Sequence, residues 1–183
     1  MGTKRQHKGK DAPEGAVYEG ERCAVSGFRG GKRPRPDLEE LFDGNFLICD
    51  DGFLDELNNK EVGALGEAIA ATYLKQLGMD VLEKNYRCPE GEADLIAYDD
   101  EADEVVLVEV KTRRFRSMEE SLYPEEAVTP KKERRYRRIA SYYVMEHYPV
   151  PCVRFDVVAV GLVSGCVASI VHLERAFDWD TDR

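Results

Sequence analysis

Between residues 60 and 78 the apolar positions recur every four residues. Leu65, Ile69, Tyr73 and Leu77 form one stripe, the period of a helix that buries a single side, and Gly78 marks its end. A short strand is expected at 81–86. Two further strand-like runs, Glu92–Tyr98 and Glu104–Lys111, flank the polar turn Asp99-Asp100-Glu101-Ala102-Asp103. After a loop to about Ala127, Thr129 is a natural N-cap with Pro130 at the first helical position, and Tyr136, Ile139, Ala140 and Tyr143 make the apolar stripe of a second helix. Pro149 and Pro151 stop it. Val153–Val160 and Val167–Leu173, separated by Gly161–Gly165, predict a final hairpin. The order α-β-β-β-α-β-β describes an α/β (α+β) domain, a mixed β-sheet flanked by helices. No internal repeat is visible.

This regular part spans 60–178, with 179–183 as a short tail. Upstream the pattern changes twice. Residues 1–36 carry nine Lys/Arg against four Asp/Glu and few apolar side chains, too little burial to offset the entropy of ordering, which predicts a basic disordered tail. Residues 37–59 hold eight acidic residues and no basic one, studded with Leu41, Phe42, Phe46, Leu47, Ile48, Phe53, Leu54 and Leu57. Together 1–59 form an N-terminal extension whose acidic, apolar half is suited to docking on the body or on a protein partner. Asp50, Asp51 and Asp55 do not make a calcium loop, because the alternating oxygen ligands and the closing glutamate are missing.

Composition narrows the class. The chain has 183 residues, 43% hydrophobic and 34% charged, with 26 Lys/Arg against 36 Asp/Glu for a net charge of −10, so it is not a general polycation. The longest uncharged stretch, Val157–Val171, is interrupted by Gly161 and Gly165 and is too short to span a bilayer. No apolar run follows the basic start, so no secretory signal is expected. The five cysteines include no Cys-x-x-Cys pair, which argues against a disulfide scaffold or a zinc knuckle. A soluble, cytoplasmic protein without membrane attachment is the expectation.

The central hairpin carries the candidate chemistry. If its strands pair symmetrically about the turn, partner numbers sum to 203. Tyr98 then faces Val105, Ile96 faces Leu107, Asp94 faces Glu109 and Glu92 faces Lys111. Opposed carboxylates in an apolar ladder repel, and a proton or a cation between them relieves the repulsion. Mg²⁺ or Mn²⁺ is the natural occupant, because these ions take hard oxygen ligands. Slipping the register by one residue would separate the two acids. With period two, Glu109 and Lys111 share a face, so an ammonium able to polarise a water or steady a phosphate sits beside the proposed metal. Glu67 is the only charged residue between Glu61 and Lys75, and a carboxylate among small and apolar neighbours calls for a partner. It would complete the acidic group.

Charge is unevenly placed. Residues 111–138 hold ten Lys/Arg and five acids. Lys131, Lys132, Arg134, Arg135, Arg137 and Arg138 crowd the second helix, while Arg113, Arg114 and Arg116 follow Lys111. Such a run would line the approach to the acids with phosphate-binding groups. A solvated helix face is the plainer reading of the same run.

Asp94 followed by Glu109-x-Lys111 on the next strand resembles the PD-(D/E)XK nuclease core, with Ala93 where a proline usually stands. Longer strings are more specific: Gly66-Glu67 with Ala71 and Tyr73-Leu74, Asn85-Tyr86-Arg87, Gly91-Glu92-Ala93-Asp94-Leu95-Ile96-Ala97, Val108-Glu109-Val110-Lys111-Thr112-Arg113, and Arg154-Phe155-Asp156-Val157-Val158. In this order they are similar to the YraN-like family of small bacterial proteins. The resemblance covers about 60–178 and implies a restriction-endonuclease-like fold related to archaeal Holliday-junction resolvases. It further implies that Asp94 and Glu109 hold Mg²⁺ with the Val110 carbonyl, that Lys111 serves the nucleophilic water, and that Glu67 and Lys131 match the family's first-helix glutamate and the lysine opening its long helix.

The expected function is therefore a metal-dependent endonuclease acting on nucleic acid. DNA, structured or junction-shaped, is favoured over RNA, with Arg113, Arg114, Lys131, Lys132, Arg134, Arg135 and Arg138 as backbone contacts. Two other classes compete: a non-catalytic nucleic-acid-binding protein that kept the fold, and an interaction module that uses residues 37–59. A homodimer is compatible with each.

Overall fold

A computed structural model describes residues 53–116, 122–163 and 167–179. The basic tail and most of the acidic segment lie outside the described residues, as do 117–121, 164–166 and 180–183.

A short helical turn, α1 (Phe53–Glu56), precedes α2 (Asn59–Gln76). Asn58 caps α2 by accepting from the amides of Lys60 and Glu61, and the Glu61 side chain returns the bond to the Asn58 amide, a reciprocal capping box. Three antiparallel strands follow: β1 (Asp80–Cys88), β2 (Gly91–Asp99) and β3 (Glu104–Phe115). A 3₁₀ turn (Pro124–Ala127) leads to α3 (Pro130–Glu146), where the Thr129 hydroxyl accepts from the Lys132 amide as its sequence position predicts. β4 (Val153–Val163) lies parallel to β3, and β5 (Val167–Leu173) closes the predicted hairpin.

The sheet order is β1-β2-β3-β4-β5, so the β3–α3–β4 crossover supplies its one parallel pairing, as a helical connection must. The mixed α+β architecture, a five-stranded mixed sheet between helices, is that of a restriction-endonuclease-like core. α2 packs Leu65, Ile69 and Leu74 on one face of the sheet against Leu95, Ala97, Val106 and Val108. α3 packs Tyr136, Ile139 and Tyr143 on the other against Ile96, Leu107 and Phe155. Burial on both faces is why Val105-Val106-Leu107-Val108 reads as an unbroken apolar run.

The elements are longer than their sequence patterns suggest. β3 continues past Lys111 to Phe115, and β4 passes through Gly161, because each has the other as a partner along its full length. Arg113 and Arg114 therefore sit on a strand, not on a loop. Leu54, in the acidic segment, is buried in the core beside α2.

Gly66 lets α2 approach β3. A Cβ there would sit 1.8 Å from Thr112 Oγ1 and 2.8 Å from Thr112 Cβ, so the whole threonine side chain collides. Gly66→Ala is expected to cost about 2–3 kcal/mol through this overpacking. Urea unfolding should show part of the loss recovered when Thr112→Ala is added, and strictly additive effects would dismiss the contact as the cause.

Candidate active site

The hairpin register is the one the polar turn predicts. Leu95↔Val108, Ile96↔Leu107, Ala97↔Val106, Tyr98↔Val105 and Asp99↔Glu104 all pair. The turn holds itself: the Asp99 carboxylate accepts from the Ala102 amide at 3.2 Å, and Asp103 takes the left-handed conformation at φ 56 while accepting from the Tyr98 hydroxyl.

Beyond Leu95 the sheet forks. Residues 91–93 of β2 pair with β1, while Glu109 onward pairs with β4. The β2–β3 ladder stops before the expected Asp94–Glu109 and Glu92–Lys111 pairs: Asp94 and Glu109 lie just past its last pair, and Glu92 instead lies opposite Arg87 of β1. Asp94 Oδ2 accepts the Val110 amide at 2.7 Å, satisfying a donor that the departing strand would otherwise leave open. Burial, then the nearby Glu109 charge, push the Asp94 carboxyl up to about 7, against the pull of the Val110 amide.

Glu109 is held from α3. Tyr136 donates its hydroxyl to Oε2 at 2.7 Å, and the Lys132 ammonium is bonded to Oε1. Tyr136 is buried, and burial followed by the Glu109 charge raises its phenol well above its ordinary value, so it stays a donor. Neither partner was legible as such in the sequence: Tyr136 read as core and Lys132 as a phosphate contact. The signal available was their i,i+4 spacing, which stacks an ammonium and a phenol on one helical face. Lys132, rather than its neighbour Lys131, is the lysine that reaches the acids.

Glu67 enters from α2. It accepts from Asn85 Nδ2 at 3.2 Å, and burial raises its carboxyl despite that bond. Asn85 adopts φ 52, a left-handed conformation that asparagine tolerates better than most residues. Glu67, Glu109, Val110 and Lys111 line a cleft of about 610 Å³ with Asn59, Val62, Gly63, Thr112 and Arg114. Lys111 is exposed, and no ion pair engages it among the described residues.

The basic residues divide. Arg114, at the cleft, donates to the carbonyls of Leu54 and Leu57 and so ties the α1 turn to β3. Arg113 pairs with Glu126 at 2.7 Å, Arg138 with Glu90 at 2.5 Å and Arg137 with Glu133 at 3.1 Å. Arg135 packs its Cδ near Gly91 and has a buried Nε without a hydrogen-bond partner among the described residues. Lys131 and Arg134 remain exposed, with no ion pair among the described residues.

Asp94, Glu109 and the Val110 carbonyl are hard oxygen donors, a set that suits Mg²⁺ or Mn²⁺ with water in the remaining positions. The raised Asp94 carboxyl is a group whose ionised form such a cation would stabilise. Among the described residues no three His, Cys, Asp or Glu side chains converge as a ready-made cage, so Glu67 belongs to the cleft rather than to one compact acidic group. No helix is long and apolar enough to cross a membrane among those residues.

A family model described as "Uncharacterised protein family UPF0102" matches residues 66–160. A UPF0102 protein of Caldicellulosiruptor saccharolyticus is 41% identical over 123 residues, 66% of this chain and all of that protein. UPF0102 proteins of Mycolicibacterium gilvum and Geotalea daltonii are 44% and 40% identical, over 62% and 66% of this chain and 90% and 92% of their own lengths. The matched region contains every residue of the fork.

Proposed function

This chain belongs to the UPF0102 family, the YraN-like family of the restriction-endonuclease-like superfamily, and from that premise we propose that it is a metal-dependent endonuclease hydrolysing phosphodiester bonds in cytoplasmic nucleic acid. Structured or junction DNA is the favoured substrate. The observation that carries the reading is the carboxylate pair Asp94 and Glu109 at the fork, beside an open cleft lined by Lys111, whose ammonium has no ion pair among the described residues.

Asp94, Glu109 and the Val110 carbonyl would hold Mg²⁺ or Mn²⁺, which when bound neutralises charge growing on a phosphate. Lys111 would hold and polarise the attacking water and steady the phosphoryl oxygens. Tyr136 keeps Glu109 in one orientation, a supporting bond of the kind on which precise sites depend. Glu67, with its raised carboxyl at the cleft, is suited to exchanging a proton there. Lys131, Arg134 and Arg113 supply contacts to the phosphate backbone, which favours shape over base sequence.

One observation favours a second reading, a binder without catalysis: both Glu109 oxygens already have donors. Labelled four-way-junction, flap, single-stranded and duplex DNA, together with structured RNA, would be incubated with the protein and Mg²⁺ or Mn²⁺ while binding is recorded. Metal-dependent cutting that disappears in Lys111→Ala is the expected result. Binding without cutting would leave only the second reading, and neither would remove both and turn attention to residues 37–59 and a protein partner.

A further inference from the structure

The two donors on Glu109 differ in how freely they can leave. Tyr136 is 2% exposed and packed among the apolar residues between α3 and the sheet, so its hydroxyl is fixed on Oε2. Lys132 comes from the first turn of the same helix, where Thr129 holds its backbone amide at 3.3 Å. Its side chain is 27% exposed, and its flexible stem can carry the ammonium off Oε1 without disturbing the helix.

We infer that Lys132 is a built-in counter-ion: it closes Glu109 while the site holds no divalent cation, and it swings to a nucleic-acid phosphate when a cation takes the carboxylate. The inference rests on the metal-dependent reading above. Its physical basis is competition. The Oε1 lone pairs that accept the ammonium are among those a metal ion would use. With both carboxyls ionised, as a bound cation favours, the carboxylates and one ammonium carry net −1; a dication in place of the ammonium makes the group neutral; both together would leave +1 and repel each other. A phosphate resolves the conflict by giving the displaced ammonium a new partner beside the exposed Lys131 and Arg134. Metal ion and nucleic acid should then strengthen each other's binding by the same factor, because linkage is reciprocal.

The test measures metal binding, not activity. Full-length protein is titrated with Mn²⁺, free Mn²⁺ being followed by electron paramagnetic resonance, with and without a phosphorothioate junction DNA that resists cleavage. Wild type is compared with Lys132→Met, Lys132→Arg and Asp94→Asn, and circular dichroism confirms folding; Lys132→Gln replaces Lys132→Met if the latter does not fold. Lys132→Met is expected to bind Mn²⁺ on the order of tenfold tighter than wild type. Its affinity should no longer respond to DNA, whereas wild type should gain about fivefold. Lys132→Arg should behave as wild type. Equal or weaker Mn²⁺ binding in Lys132→Met, with Asp94→Asn still abolishing it, would overturn the counter-ion and spare the metal site. Mn²⁺ binding that ignores Asp94→Asn, or is absent from every variant, would overturn the metal site and the counter-ion with it.

Discussion

Asp94→Asn is expected to lower metal-dependent cleavage by about 10³-fold or more while making the metal-free protein more stable at pH 8. The loss follows from removing one of two carboxylates that would hold the metal. The gain follows from burial and the Glu109 charge, which raise the Asp94 carboxyl from 3.8 to about 7 in the folded chain. A group raised in this way favours the folded state at low pH, and that contribution is lost as pH climbs from about 4 through about 7. The full swing is at most about 4 kcal/mol, since each pKa unit is worth about 1.4. Asparagine is neutral throughout and can still accept the Val110 amide. Urea unfolding of metal-free wild type and variant at pH 5 and pH 8 should therefore show a gain of about 1–3 kcal/mol at the higher pH and little at the lower. Equal gains at both would mean that the Asp94 charge is not what destabilises the fork. Stability rising as activity falls is the mark of a group kept for its chemistry.

The second large effect lies at the opposite end of the hairpin. Arg154, 5% exposed at the start of β4, bonds Asp156 through Nε at 3.1 and 3.2 Å, and Asp99 and Glu104 through Nη1 at 2.9 and 3.1 Å. Burial raises the Asp99 carboxyl, yet the Arg154 hydrogen bond and charge together with the Ala102 and Glu101 amides bring it below its ordinary value. Arg154→Met would leave the fully buried Asp156 and the nearly buried Glu104 short of a cation. His172 and the Arg175 amide still reach Asp156, and the Arg175 guanidinium still reaches Glu104 at 2.7 Å, so the carboxylates keep hydrogen bonds. The expected cost is about 3–5 kcal/mol, a fall in Tm of roughly 10–20 °C for a domain of this size. Adding Asp156→Asn should recover a measurable part. Calorimetry showing a fall of only a few degrees would mean that Arg175 and His172 suffice.

The arginine illustrates a difference in legibility. Arg154-Phe155-Asp156 belongs to the family resemblance, but nothing in the string shows that Arg154 reaches across to Asp99 and Glu104. The hairpin register was legible because a short polar turn with Asp99 and Asp103 at its ends leaves few ways to close two apolar runs. Thr129-Pro130 marked the start of α3 for a similarly local reason. By contrast, the extent of β3 and β4 depends on each supplying the other's hydrogen-bond partners, and the bonds from Arg114 to the carbonyls of Leu54 and Leu57 could not be read locally because those acceptors belong to a distant segment.

Helical period, caps and turn chemistry act within a few residues, so α2, α3 and the pairing of Leu95–Asp99 with Glu104–Val108 were legible along the chain. Where the β2–β3 ladder ends is a matter of which neighbour each strand keeps, a choice made in the assembled sheet. The fork and Val110's bond to Asp94 follow from those strand neighbours, and the seating of Tyr136 and Lys132 on Glu109 follows from α3 lying over the sheet, a contact between residues far apart along the chain.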